Sequence, residues 1–209
     1  MRIVEPRATL ETPIDGDALL RGIERIGRVC YKSEAKISRE SAEKFVRGII
    51  KRGHESVIEH ASVSFRIVCD RGVTHEIVRH RIASYSQEST RYCNYAGDKF
   101  GGELTFIKPC FFDEGGAAYR LWHESMSRAE TAYLALIGGG ASPQEARSVL
   151  PNSLKTEIVV TMNLREWRHF IRLRTAADAH PQVREVAFQI LKELRARIPV
   201  IFDEFSQEQ

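Results

Sequence analysis

The chain has 209 residues, 43% of them apolar and 28% charged, and its net charge is +3. That length can bury a sizeable core, and the composition is that of an ordinary soluble globular protein with no general bias towards polyanions. Arginine is instead concentrated in two stretches, with Arg71, Arg79, Arg81 and Arg91 in one and Arg165, Arg168, Arg172 and Arg174 in the other, which points to a local anionic ligand more than to a long nucleic acid.

In chain order, Arg2 to Glu5 suits a short strand ended by Pro6. Asp15 to Arg28 has helical spacing through Leu19, Leu20, Ile23 and Ile26, with Asp15 as cap. A second helix is expected over about 38–52, with Phe45, Val46, Ile49 and Ile50 on one face and Gly53 as its stop. Ser62 to Cys69 alternates: Val63, Phe65, Ile67 and Cys69 point one way and Ser62, Ser64 and Arg66 the other, as in a half-buried strand. Thr74 to about Ile82 reads as a charged helix leading into the polar stretch Ser84 to Arg91. A loop over 97–102 precedes a strand at Glu103 to Ile107. Ala117 to Ile137 forms a long helix stopped by Gly138-Gly139-Gly140, and Ser142-Pro143-Gln144-Glu145 is a capping box opening a short helix that carries Arg147. A β-rich run over Glu157 to Met162 leads to Asn163, a good cap for a helix from Leu164 to Arg174. The last helix runs from Pro181 to about Ile198, followed by an acidic, frayed tail. The pattern is α+β, a single domain over residues 1–209.

No apolar run reaches the length of a membrane span, and Met1 to Pro6 shows no signal-peptide core, so a cytoplasmic protein without a membrane partner is expected. Cys30, Cys69, Cys93 and Cys110 are scattered and lack C-x-x-C spacing, which favours free thiols over disulfides or zinc. His75-Glu76 and His80 look superficially like a zinc motif, but the histidines are five apart, about 140° around a helix, so no metal is expected. There is no G-x-G-x-x-G or Walker loop, and no G-x-S-x-G elbow surrounds Ser89.

Two segments carry chemistry. In Arg79-His80-Arg81, three adjacent cationizable side chains repel one another, and a hydroxyl-rich loop ending at Arg91 follows. Such a loop suits a phosphate, although a solvated basic helix end with a polar turn accounts for the same residues. In the second segment Leu164, Trp167, Phe170 and Ile171 form one helical stripe, and Arg174 falls in line with it. An inward arginine calls for an anionic partner, whereas a last-turn arginine that snorkels outward needs none.

At these residues the sequence resembles the flavin-dependent thymidylate synthases, whose signature is R-H-R, seven residues, then S. Arg79, His80, Arg81 and Ser89 match it, and the likeness continues through Arg91-Tyr92. Further matches are Gly53-His54-Glu55-Ser56 with Glu59-His60, Ala146-Arg147 before Leu150-Pro151, and Asn163-Leu164-Arg165 through Arg174. The resemblance implies an α/β fold with a central, mainly antiparallel sheet flanked by helices, and a homotetramer with active sites at subunit interfaces. It implies methylation of dUMP with methylenetetrahydrofolate as carbon donor, FAD as cofactor and NADPH as its reductant. By position, Ser56, Arg79, His80, Arg81, Gln87, Asn163, Arg165 and His169 would contact FAD. Glu76, Arg79, Gln87, Glu88, Ser89, Thr90, Arg91 and Arg147 would bind dUMP, the loop from Gln87 to Arg91 and Arg147 gripping its phosphate. Arg174 would meet the uracil edge, favour the N3-ionised form and act as the catalytic residue; Ser89 would be a donor, and Cys110 structural. The chain departs from the family at Gln87, where glutamate is usual ahead of the motif serine, and at Glu76, where glutamine is common. These two look like an amide–acid exchange.

An alternative of another class is a small RNA- or nucleotide-binding module, with arginines on phosphates and Tyr85, Tyr92 and Tyr95 stacking on bases. Weak net charge and separate arginine blocks favour a compact site with no nucleic-acid partner.

Overall fold

Helices and strands are mixed along the whole chain in the computed structural model, which describes residues 1–205. The first half carries β1 (Arg2–Val4), β2 (Arg7–Leu10), α1 (Gly16–Arg28), α2 (Ser41–Lys51), β3 (Ser62–Asp70), α3 (Arg71–Ile77), β4 (Ala83–Gln87) and β5 (Thr105–Ile107). The second half carries α4 (Ala117–Gly138), α5 (Pro143–Ala146), β6 (Lys155–Asn163), α6 (Leu164–Arg174), α7 (Pro181–Arg197) and α8 (Pro199–Phe202).

Local chemistry sets many of the boundaries. Asp15 accepts from the Ala18 N–H at 3.0 Å and opens α1, Asp70 accepts from the Val73 N–H at 2.7 Å and opens α3, and both leave a helix start satisfied. Gly53, at φ 72°, takes the left-handed conformation that ends α2 cheaply. Both halves of the Ser142–Glu145 capping box are formed at α5. Alternation along β3 buries Val63, Phe65, Ile67 and Cys69 completely.

The main sheet has strand order β2–β3–β6–β4 and is antiparallel, with helices around it; β1 and β5 form a separate two-stranded parallel ladder. The mixed reading with a mainly antiparallel sheet therefore holds, while β2 and the parallel pairing went unforeseen.

The described chain falls into two compact units. One comprises Met1–Arg7, Ile67–Arg79 and Ser86–Val159, with a core that includes Tyr95, Leu104, Phe106, Trp122, Tyr133 and Leu154. The other comprises Ala8–Arg66, His80–Tyr85 and the stretch from Val160; in it the Trp167 ring meets Phe65 edge-on at 5.2 Å and its indole N–H donates to the Val63 carbonyl at 2.9 Å.

Two boundaries differ from expectation. The charged helix ends at Ile77, so Arg79-His80-Arg81 lies beyond it, and the supposed polar loop begins as the strand β4. The tail after Ile198 starts as α8 with Val200, Ile201 and Phe202 buried, because three apolar side chains gain more from burial than the frayed chain gains in entropy; its last four residues, 206–209, lie outside the described part. No described helix is long and apolar enough to cross a membrane. All four cysteines are free thiols. Burial and the nearby Asp70 carboxylate push the Cys69 thiol far above its ordinary range, while Cys110, expected to be structural, is exposed.

Candidate active site

The singled-out residues form two groups, one within each unit. In the unit that contains His80, Asn163 ends β6 and caps α6, accepting from the Glu166 N–H at 2.8 Å. Glu166 occupies the place a capping box gives to glutamate, yet its Oε1 stands 3.1 Å from His80 Nδ1. From the far end of α6, Arg174 Nε donates to His80 Nε2 at 3.2 Å. The imidazole packs against Phe170 at 4.9 Å and the edge of His169 at 5.4 Å, and the His80 carbonyl accepts from the Tyr85 hydroxyl.

These contacts fix the tautomer. A guanidinium only donates, so Nε2 must present its lone pair, Nδ1 must carry the proton, and the Glu166 carboxylate receives it. Burial pushes the His80 pKa down to about 4, with the charges of Arg174 and His169 acting in the same direction, so the ring is neutral at neutral pH. Burial likewise lifts the Glu166 carboxyl above its usual range, against the pull of His169 and Arg165. The picture of three adjacent cations is corrected accordingly: Arg79 and Arg81 are exposed, whereas His80 is 3% exposed and uncharged.

The ligand atoms of His80, Glu166 and His169 lie within 4.8 Å of one another, a spacing a metal ion could bridge. The His80 lone pair, however, faces Arg174, and the nitrogen that faces Glu166 bears a proton, a pattern opposed to coordination between these three groups.

Beside Glu166 opens a cleft of about 390 Å³ whose walls include Glu55, Ile82, Asn163, Arg165, His169 and Arg172. Three residues expected to hold flavin therefore line one cavity together with Ile82, the neighbour of Arg81. Its donors (two guanidiniums, an amide and an imidazole) alternate with the carboxylates of Glu55, Glu59 and Glu166, a lining that offers both donors and acceptors to a polar heteroaromatic ligand. Arg165 is paired with Glu59 at 2.5 Å, and Ser56 is exposed on the 3-10 turn Glu55–His60 that supplies Glu55.

Arg168, grouped from the sequence with the arginines that point to an anionic ligand, is 2% exposed and turned to the chain's own carboxylates, a burial the sequence reading missed. It donates to the Ile201 carbonyl, pairs with Glu204 at 2.6 Å and Glu55 at 3.2 Å, and lies over the Phe205 ring at 5.3 Å. The signal was available: Arg168 follows Leu164 by four and precedes Ile171 by three, within the apolar stripe.

The second group belongs to the other unit. At the end of β4, the Gln87 side-chain amide donates to the hydroxyls of Thr74 at 3.1 Å and Thr156 at 3.3 Å. The amide group thus serves two hydroxyl acceptors at the position where the resemblance led to the expectation of a carboxylate. Glu88 accepts from the Tyr95 hydroxyl and pairs with Lys155, each at 2.7 Å, while its N–H donates to the Glu157 carbonyl at 2.8 Å. Ser89 Oγ accepts from the Arg91 N–H at 3.3 Å, and its carbonyl receives the N–H groups of Tyr92 at 3.1 Å and Cys93 at 2.9 Å, so the chain turns tightly there with Thr90 buried. The Arg91 guanidinium lies 5.3 Å from the exposed Tyr92 ring. Glu76 is half-buried on α3, Arg79 follows it exposed, and Arg147 is exposed on the 3-10 turn after α5.

Base stacking would need free aromatic faces. Of the three tyrosines, Tyr92 is 77% exposed, but Tyr95 is 5% exposed and Tyr85 is half-buried and spends its hydroxyl on His80.

The chain matches the Thy1 family, described as thymidylate synthase complementing protein, over residues 18–200. It is 41% identical to a flavin-dependent thymidylate synthase of Pyrococcus furiosus over 172 residues, covering 82% of this chain and 70% of that protein. A Mycobacterium flavin-dependent thymidylate synthase is 38% identical over 221 residues, covering 97% of this chain and 85% of the relative. Among solved structures, a UMP/dUMP methylase, PolB of Streptomyces cacaoi bound with 5-Br dUMP, superposes with a TM-score of 0.78 at 23% identity, covering 97% of this chain and 96% of that one; this likeness is one of fold.

Proposed function

This chain belongs to the flavin-dependent thymidylate synthase family, and we propose that it converts dUMP to thymidylate with FAD as cofactor, methylenetetrahydrofolate as carbon donor and NADPH as reductant. The observation that carries the reading is the cleft in which Asn163, Arg165 and His169 come together beside Ile82. Those residues, with Ser56, Arg79, His80 and Arg81, would hold the flavin. When bound, flavin supplies the hydride, so no protein nucleophile is needed.

The chain's own residues bind and orient. Ser89, Thr90, Arg91 and Arg147 would hold the dUMP phosphate through hydroxyls, N–H groups and guanidiniums. Glu88, committed to Tyr95 and Lys155, would brace that loop, and Gln87 would do so through Thr74 and Thr156; Glu76 and Arg79 would face the nucleotide. Arg174 would stabilise the uracil as its N3 anion, a task for a side chain protonated at every relevant pH. On this reading four copies assemble in the cytoplasm, with active sites at their interfaces.

Flavin uptake tests the reading at once. The purified protein should show a flavin band in the visible blue, and Arg165→Ala should lower its occupancy at least tenfold in equilibrium dialysis against FAD. A colourless protein that takes up no added FAD but binds RNA would reverse the assignment. Ser89→Ala should retain partial turnover with a raised KM for dUMP, as expected for one donor among several; complete loss of turnover with normal dUMP affinity would point to covalent catalysis by Ser89.

A further inference from the structure

The chain Glu166–His80–Arg174 joins the wall of the proposed flavin cleft to the arginine proposed for the uracil, and no role follows for Glu166 from the family signature. We propose that Glu166 is a positioning residue: by holding the proton on His80 Nδ1, it keeps Nε2 as the acceptor that orients the Arg174 guanidinium. The proposal rests on Arg174 being the group that meets the substrate.

Three observations carry it. Glu166 Oε1 and Arg174 Nε sit on opposite nitrogens of one buried imidazole, at 3.1 and 3.2 Å, so the state of one nitrogen determines what the other can do. Packing by Phe170 and His169 restrains the ring, so that a flip would not substitute for a change of tautomer, and the Tyr85 bond to the His80 carbonyl holds the backbone that carries it. The Asn163 cap anchors the first turn of α6, and Arg174 is the last residue of the same helix, so both ends of the relay are carried by one rigid element. Without an acceptor at Nδ1, the Nδ1–H form is selected by Arg174 alone and leaves a buried N–H unpaired, so the Nε2–H form, in which two donors confront each other and the guanidinium is turned away, gains in population. Carboxylates that set an imidazole's tautomer in this way contribute strongly wherever the second nitrogen has work to do.

The test uses Glu166→Gln, which keeps an oxygen acceptor of the same reach, and Glu166→Ala, which removes it. Ring-nitrogen NMR of the wild-type protein should show His80 as the Nδ1–H tautomer, and Glu166→Ala should abolish that signature. With flavin bound, Glu166→Ala should lose ten- to a hundredfold in kcat while the KM for dUMP changes less than threefold, and Glu166→Gln should recover most of the loss. Glu166→Leu, which fills the same space without an acceptor, is held to the same outcomes if the alanine variant does not fold. An Nε2–H tautomer in the wild type, equal kcat in all variants, or flavin loss as the main defect would overturn the proposal. The expected tautomer in a wild-type protein that makes no thymidylate would leave the relay standing and remove the functional reading instead.

Discussion

Replacing Arg174 with alanine should yield a protein that is still yellow but makes thymidylate far more slowly. Arg174 reaches His80 from the last turn of α6, whereas the cleft proposed for flavin is walled by Asn163, Arg165 and His169, so the substitution should spare cofactor uptake. A preorganised donor aimed at developing charge is worth about 10²- to 10³-fold in kcat, and a fall of that size is expected. Arg174→Lys should remain low, because an ammonium keeps the charge but lacks the guanidinium's planar fork. Single-turnover formation of thymidylate, measured beside flavin absorbance, separates the effects. Loss of flavin from Arg174→Ala would show that the residue serves the cofactor.

The largest effect on stability is expected at Arg168. Its guanidinium lies among Glu55, Glu204, the Ile201 carbonyl and the Phe205 ring. Alanine there would strand one half-buried carboxylate, one exposed carboxylate and a buried carbonyl, and leave a hole the size of the side chain. Removing one partner of a buried pair costs about 3–5 kcal/mol; because Glu204 is partly solvated, about 3 kcal/mol is expected. Arg168→Met, which refills the space, should lose less. Urea unfolding midpoints at unchanged m-value measure both; a loss under about 1 kcal/mol for Arg168→Ala would show that solvent already screens the network.

The contrast between Arg168 and Arg174 marks how far the sequence could be followed. The helical stripe of α6 was legible, because Leu164, Trp167, Phe170 and Ile171 recur at the helical period and Asn163 supplies an unambiguous cap. Arg174 stood out as a cation in line with that stripe. Arg168 lies in the stripe equally, but its acidic partners come from residues 55 and 204, and no local pattern announces a pairing over such separations. Glu166 was hidden for a different reason. A glutamate in the first turn of a helix is fully explained by capping and the helix dipole, so nothing local suggested that it turns to His80. The strand β4 was missed because Ser84, Tyr85, Ser86 and Gln87 are polar or amphipathic on both faces, which removes the period-two signal that made β3 plain. The R-H-R motif stood out in the sequence yet was misjudged in charge, because burial decides the protonation of His80 and burial is a property of the fold.

Formation of thymidylate tests the central claim most directly. Purified protein given dUMP, methylenetetrahydrofolate and NADPH without oxygen should produce thymidylate in an amount that rises with added FAD and vanishes when any one of the three is withheld. Folded protein that binds FAD and dUMP yet forms no thymidylate under those conditions would contradict it.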